Sequence, residues 1–254
     1  MRTKYGWWGE SSHHPSNLNN LEKEMKMKTV EKYAPKDLSE VIFGNATSKH
    51  TVQAVASTHL ETSLILYGPR GTGKTTVASL LAQTIGGDDV MIEPKDFKTV
   101  LAMPKLKEYL QRGAAMARFT SSRKYFVIWH EFDRNDVNPY ELWTALDDMN
   151  NDIMLILTTN EFIKIHPSLR SRCQAVEMPA LTAQDVLSRA QWILQQEGLT
   201  LPDAQVLAYL TPQQVNSDLR KYFGELDKLL YLHKQGLAMP PWSPAVTRQR
   251  LRVV

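Results

Sequence analysis

Cysteine is almost missing from this chain: Cys173 is the single one in 254 residues. One thiol cannot close an internal disulfide, so a stapled secreted scaffold is excluded and a reducing, cytoplasmic setting is implied. No run reaches the roughly 18 apolar residues that a membrane span needs. The opening MRTKYGWWGESSHHPSN lacks the continuous apolar stretch of a secretory signal. Charge of one sign is not in excess either, with 30 Lys and Arg against 27 Asp and Glu for a net +3, so total charge names no partner. No internal repeat, zinc pattern or recognition-helix motif is found. What is present is the balance of apolar and charged residues typical of a globular protein, 43% and 22%.

Residues 1–28, with Trp7, Trp8, His13 and His14, show no sustained period and read as an N-terminal extension. The runs 62–67 (TSLILY), 124–129 (KYFVIW) and 152–159 (DIMLILTT) are short, apolar and rich in β-branched or aromatic residues. That texture predicts strands buried on both faces. KTTVASLLAQTI, PKLKEYLQRGAAMARF and NPYELWTALDDM carry apolar residues at helical spacings, with Pro94, Pro104 and Pro139 where helices can start. The expected fold is α/β, a parallel sheet with helices on both faces, over residues 29–179. Three further helical patterns, broken by Gly198, Pro202 and Pro212 and containing no strand pattern, predict a small all-α domain over 180–235. The remainder, 236–254, has three prolines, three arginines and no acid, and reads as a basic tail.

Gly68-Pro69-Arg70-Gly71-Thr72-Gly73-Lys74-Thr75 is a complete G-x-x-x-x-G-K-T between a strand pattern and a helix pattern. Glycines let the backbone fold so that its N–H groups face phosphate oxygens, Lys74 reaches the β- and γ-phosphates, and the Thr75 hydroxyl can ligate Mg²⁺. The next strand pattern ends His130-Glu131. A nucleotide hydrolase commonly places Asp-Glu there, the acid pair supporting Mg²⁺ and polarising water. Glu131 is present, but His130 replaces the Asp, and an imidazole supplies no negative charge to a hard cation; it can still hold a metal-bound water. The third strand pattern ends at Asn160, where side chains of open α/β sheets enter the ligand crevice.

Together these segments resemble the AAA+ ATPase family, and within it the clamp-loader small subunits, most nearly the phage type. The resemblance runs from about Glu31 to Lys234. Glu31-Lys32-Tyr33-Ala34-Pro35, followed by Leu38 and Val41-Ile42-Phe43-Gly44-Asn45, resembles the family segment that lies over the adenine, with Ala34 where an Arg is usual. His130-Glu131-Phe132-Asp133-Arg134 resembles the phage-type Asp-Glu-Phe-Asp-Arg. Asn160 matches the first sensor, and Ser171-Arg172-Cys173 matches the clamp-loader Ser-Arg-Cys box. Asp218-Leu219-Arg220-Lys221 resembles the second sensor helix.

The resemblance implies ATP and Mg²⁺ as cofactors, with Tyr33 and Pro35 beside the base. It implies that Arg172 reaches across a subunit interface to the neighbour's γ-phosphate and that Arg220 contacts nucleotide from a lid. It implies as partners other AAA+ subunits, DNA without sequence preference, and a sliding clamp or another DNA-processing protein; no membrane is implied. Family members continue into a collar of roughly a hundred residues, whereas about 20 residues follow His233 here, so a chain without a collar is expected. Residues Lys95 to Lys124 hold eight basic side chains and two acids, a bias suited to phosphate backbones. The alternative is an ATP-bound, weakly or non-hydrolysing scaffold or adaptor that recruits a helicase, nuclease or recombination partner.

Overall fold

The computed structural model describes residues 28–96, 105–132, 146–148, 152–216 and 218–242. Five parallel strands form the central sheet: β1 (Ser63–Tyr67), β2 (Met91–Asp96), β3 (Tyr125–His130), β4 (Ile153–Thr159) and β5 (Cys173–Glu177). Their spatial order is β2-β3-β4-β1-β5, with Leu64 beside Ile156 and Val127 beside Leu155 in register. All seven residues of β4 and the middle three of β1 are buried. Strand alternation splits these side chains between two cores. Ile65, Val127, Trp129 and Leu155 meet α4 (Leu106–Ala117) on one face. Leu64, Phe126, Ile128 and Ile156 meet α2 (Ala46–Ala56) and α3 (Lys74–Gly86) on the other. Each such buried side chain contributes ~1.5–3 kcal/mol, so packing rather than local propensity holds the sheet.

The three strands expected from sequence are therefore present, and helices cover both faces. Two strands had not been read. Pro94 does not start a helix but lies in β2, paired with Ile128. As an edge strand β2 can lack an N–H at that point without breaking the ladder. Pro104, Pro139, Trp7, Trp8, His13, His14, Asp133, Arg134 and the arginines of 243–254 lie outside the described residues.

A short α5 (Pro167–Arg170) precedes β5, and after β5 the chain is helical: α6 (Ala183–Gln196), α7 (Asp203–Leu210) and α8 (Leu219–Lys234), with a 3₁₀ turn at Thr211–Asn216. Thr182 and Asp185 form a capping box that starts α6. These helices enclose their own core around Ile193, Leu210, Tyr222 and Leu226. Val30, Tyr33 and Ile42, from far upstream, pack against that helical core. The link begins at α1 (Thr29–Lys32), where Thr29 N donates to Asp227 Oδ1 at 2.9 Å and Thr29 Oγ1 to the Phe223 carbonyl at 3.2 Å.

Candidate nucleotide site

The loop from Gly68 to Gly73 leaves β1, between β4 and β5 in the sheet, and enters α3. Gly68 has φ +141, and a Cβ there would stand 2.1 Å from the Met178 carbonyl oxygen. Only glycine permits that approach. Gly71 has φ +76, and its missing Cβ makes room for Asp218, whose Oδ1 would otherwise be 2.0 Å away. Leu219 N donates to the Gly71 carbonyl at 3.0 Å, so the start of α8 rests on the loop.

Helices α2, α6 and α8 are capped by Asn45, Thr182 and Asp218. Like α4 and α7, α3, 13 residues long, starts with no side-chain cap, here at Gly73. The N–H groups of its first turn point out of the helix end, where the helix dipole favours negative charge. Lys74, at its first position, is 8% exposed. Its Nζ donates to the Gly68 carbonyl at 2.8 Å, the Pro69 carbonyl at 2.6 Å and Asn160 Oδ1 at 3.0 Å. These three acceptors are neutral oxygens, and two of them are carbonyls that phosphate oxygens can replace.

A cleft of about 600 Å³ opens above this loop, within the ~300–1,000 Å³ of small-molecule sites. One end is lined by Arg70, Lys74, Thr75, Glu131, Asn160 and Arg220; the other by Tyr33, Ala34, Pro35, Val41 and Ile42. A cationic end at a helix N-terminus and an apolar end with a phenol suit a nucleoside triphosphate. Glu131 reaches the cleft through a turn with φ +54, after which Phe132 N donates to the Thr158 carbonyl at 2.9 Å. That left-handed residue turns Glu131 outward while Phe132 returns to the core. Thr75 is exposed to the cleft and fits as the hydroxyl ligand of a divalent cation, with Glu131 the acid of the same wall. His130 ends β3 half-buried and is not part of the cleft wall.

Arg220 lines the cleft but is paired with Asp218, Nε to Oδ1 at 3.0 Å and Nη2 to Oδ2 at 2.9 Å, and this pairing raises its pKa further. Arg172 stands outside the cleft. Its Nε and Nη2 donate to the two oxygens of Asp147 at 2.7 and 2.8 Å, and Nη1 to the Ser168 carbonyl at 2.9 Å. The hydrogen bonds raise the guanidinium pKa and lower that of the Asp147 carboxyl.

Sequence reading missed Arg189, which lines the cleft and donates from Nη2 to the Tyr33 carbonyl at 3.1 Å and to Glu40 Oε2 at 3.2 Å. Its guanidinium lies 4.4 Å over the Trp192 ring, while Trp192 meets Tyr33 edge-on. Glu197 was also missed. Lys32, Tyr33 and Lys234 all donate to its carboxylate, at 2.6, 2.8 and 2.7 Å. Burial pushes its pKa up, but the three donors outweigh burial and hold it at about 2. These two residues anchor the segment beside the apolar end of the cleft; no motif marks either.

The basic stretch is less one-sided than its sequence. Lys105 pairs with Glu108, Lys107 with Asp148, Arg118 with Asp152 and Lys124 with Glu61. Three of those acids come from other segments, so surface neutralisation is hidden from a local count. Lys98 lies outside the described residues.

Residues 64–179 match the model of the ATPase family associated with various cellular activities (AAA). The sliding-clamp-loader large subunit of Enterobacteria phage T4 is 30% identical over 207 residues, covering 78% of this chain and 63% of that subunit. The replication factor C small subunit of Thermofilum pendens is 28% identical, covering 78% and 61%. This chain therefore spans less than two thirds of either relative. Among solved structures, a Thermotoga maritima RuvB variant aligns with a TM-score of 0.61 at 18% identity, over 80% of this chain and 67% of its own. Among the described residues no helix is long and apolar enough to cross a membrane.

Proposed function

Because residues 64–179 match the AAA ATPase-family model, we propose that this chain binds and hydrolyses ATP at interfaces between subunits of a clamp-loader-type assembly acting on DNA or a DNA-bound protein. The observation that carries the reading is the buried Lys74 ammonium, held under an uncapped helix in a cleft that is cationic at one end and apolar at the other. Lys74 exchanges its bonds to the Gly68 and Pro69 carbonyls for phosphate oxygens, and the loop amides and Arg70 complete the cradle. Tyr33 and Pro35 flank the base. Thr75 holds Mg²⁺, which when bound neutralises phosphate charge; Glu131 orients the attacking water. Asn160, already bonded to Lys74, and Arg220 respond to the terminal phosphate. Arg172, outside its own cleft, serves the neighbour's. An Arg added to a phosphoryl-transfer site is worth roughly 10³–10⁵ in rate.

The named relatives, a sliding-clamp-loader subunit and a replication factor C subunit, favour other subunits of the same kind and a sliding clamp as partners, and DNA is the third partner of this reading. His130, where an acid is usual, favours a second reading: an ATP-bound scaffold that assembles without turnover. The test is ATP turnover with Mg²⁺, with and without primed duplex, alongside Glu131→Gln and Arg172→Ala, while light scattering follows mass. DNA-stimulated turnover lost in both variants supports the motor. ATP-driven assembly without turnover supports the scaffold.

A further inference from the structure

Arg172 does not line the chain's own cleft, yet its guanidinium is not idle. Nε and Nη2 present the parallel fork of donors that matches a carboxylate or a phosphate, and that fork is filled by both oxygens of Asp147. A third donor, on Nη1, is taken by the Ser168 carbonyl. The geometry is the one the side chain would use on a phosphate group, with an aspartate of the same chain standing in for it.

We propose that Asp147 is a positioning residue for Arg172, a carboxylate that occupies the finger in the free subunit and is exchanged for the neighbour's terminal phosphate on assembly. The proposal rests on Arg172 acting in trans. The exchange conserves the fork: two parallel N–H···O bonds to Asp147 break and two to the phosphate form, while the Ser168 carbonyl keeps the side chain aimed. Its direction follows from charge, since Asp147 offers one negative charge and a terminal phosphate more than one. It is also reachable, because the Arg172 and Asp147 side chains are 34% and 55% exposed, and an exposed ion pair is weakly held. Water and salt compete with it, whereas the phosphate arrives with its own subunit surface. Asp147 therefore raises the threshold for assembly: the finger is mostly filled without nucleotide next door, and a triphosphate-bearing neighbour shifts the balance.

The chain's own ATP site does not touch Asp147, so affinity for ATP and the threshold for assembly separate. The full chain is followed by sedimentation velocity across a protein concentration series, with ATP-γ-S and Mg²⁺ and without nucleotide, so that turnover is not required. Asp147→Asn keeps the shape and removes the charge; it is expected to shift the nucleotide-dependent association midpoint to several-fold lower concentration, with no change in nucleotide-free chain and unchanged ATP affinity. Arg172→Ala is expected to shift it to higher concentration. In an Arg172→Ala background, Asp147→Asn is expected to do nothing, which a merely structural role would not produce. Arg172→Ala indistinguishable from the parent overturns the trans finger. Arg172→Ala weakened with Asp147→Asn unchanged or also weakened overturns the hold and leaves the finger standing. A chain monomeric with nucleotide in every variant overturns both. Asp147→Ser repeats the arm should Asp147→Asn lower the thermal midpoint.

Discussion

Lys74 Nζ donates to Asn160 Oδ1 at 3.0 Å, joining the first residue of α3 to the residue that leaves β4. The phosphate loop and the sheet edge of the cleft are thereby one unit before any ligand arrives. Lys74→Ala removes the cleft's buried cation, and nucleotide binding followed by a fluorescent ATP analogue is expected to be lost. Asn160→Ala leaves Lys74 its two carbonyl partners, so ATP affinity should stay within about threefold while turnover drops about tenfold or more, as for loss of one preorganised polar contact. Equal losses of affinity in both variants would show that Asn160 only props the lysine.

Gly71→Ala forces a Cβ into the space of Asp218 at φ +76. The backbone strain and the displaced carboxylate together should cost ~1–3 kcal/mol. Because Leu219 N is bonded to the Gly71 carbonyl, the same change loosens the start of α8. Chemical denaturation should report the loss, and hydrogen exchange at the first turn of α8 should rise. An unchanged exchange rate there would place the strain in the loop alone.

Glu197 carries a pH signature. Its pKa is held at about 2 against an ordinary 4.5, so the folded state favours the ionised form more than the unfolded chain does. That stabilisation is complete above pH 4.5 and fades as pH falls through the window down to about 2. The depression corresponds to up to about 3 kcal/mol, reduced by solvent screening of Lys32 and Lys234. Glu197→Gln should therefore lower stability at pH 7 by ~1–3 kcal/mol and flatten the acid limb of the stability curve. A limb of the same slope in both proteins would assign acid sensitivity to other carboxylates.

Burial raises the Cys173 thiol to about 12, the positive charge of Arg172 only partly opposing it. At pH 8 the native thiol is neutral and enclosed, hence a poor nucleophile. Ellman's reagent should react at the rate of unfolding, not at the rate of a free thiol. Rapid labelling of folded protein would mean that β5 opens independently.

Much of this molecule can be read along the chain because its signals are contiguous. Strands β1, β3 and β4 are buried on both faces, so their apolar runs are uninterrupted, and the phosphate loop needs only eight consecutive residues. The edge strands escape for a physical reason. In β5 only Cys173 and Val176 are buried, and β2 contains Pro94, so neither has an apolar run. The cleft's anchors are hidden differently: Tyr33 and Glu197 are 164 positions apart and Arg189 and Glu40 are 149 apart. A lone Arg inside a helical pattern looks like any solvated face. Arg172 was legible as a motif, while its partner Asp147, 25 positions upstream, had no local mark.

The cleft draws on both extremes of the described chain, from Val30 to Phe223. During synthesis the phosphate loop is made some 150 residues before the residues of α8 that rest on it, an interval of roughly 10–30 s at ordinary elongation rates. A ribosome-bound chain thus carries the loop with one wall missing. A product truncated before Leu219 keeps the loop yet lacks the wall that rests on it.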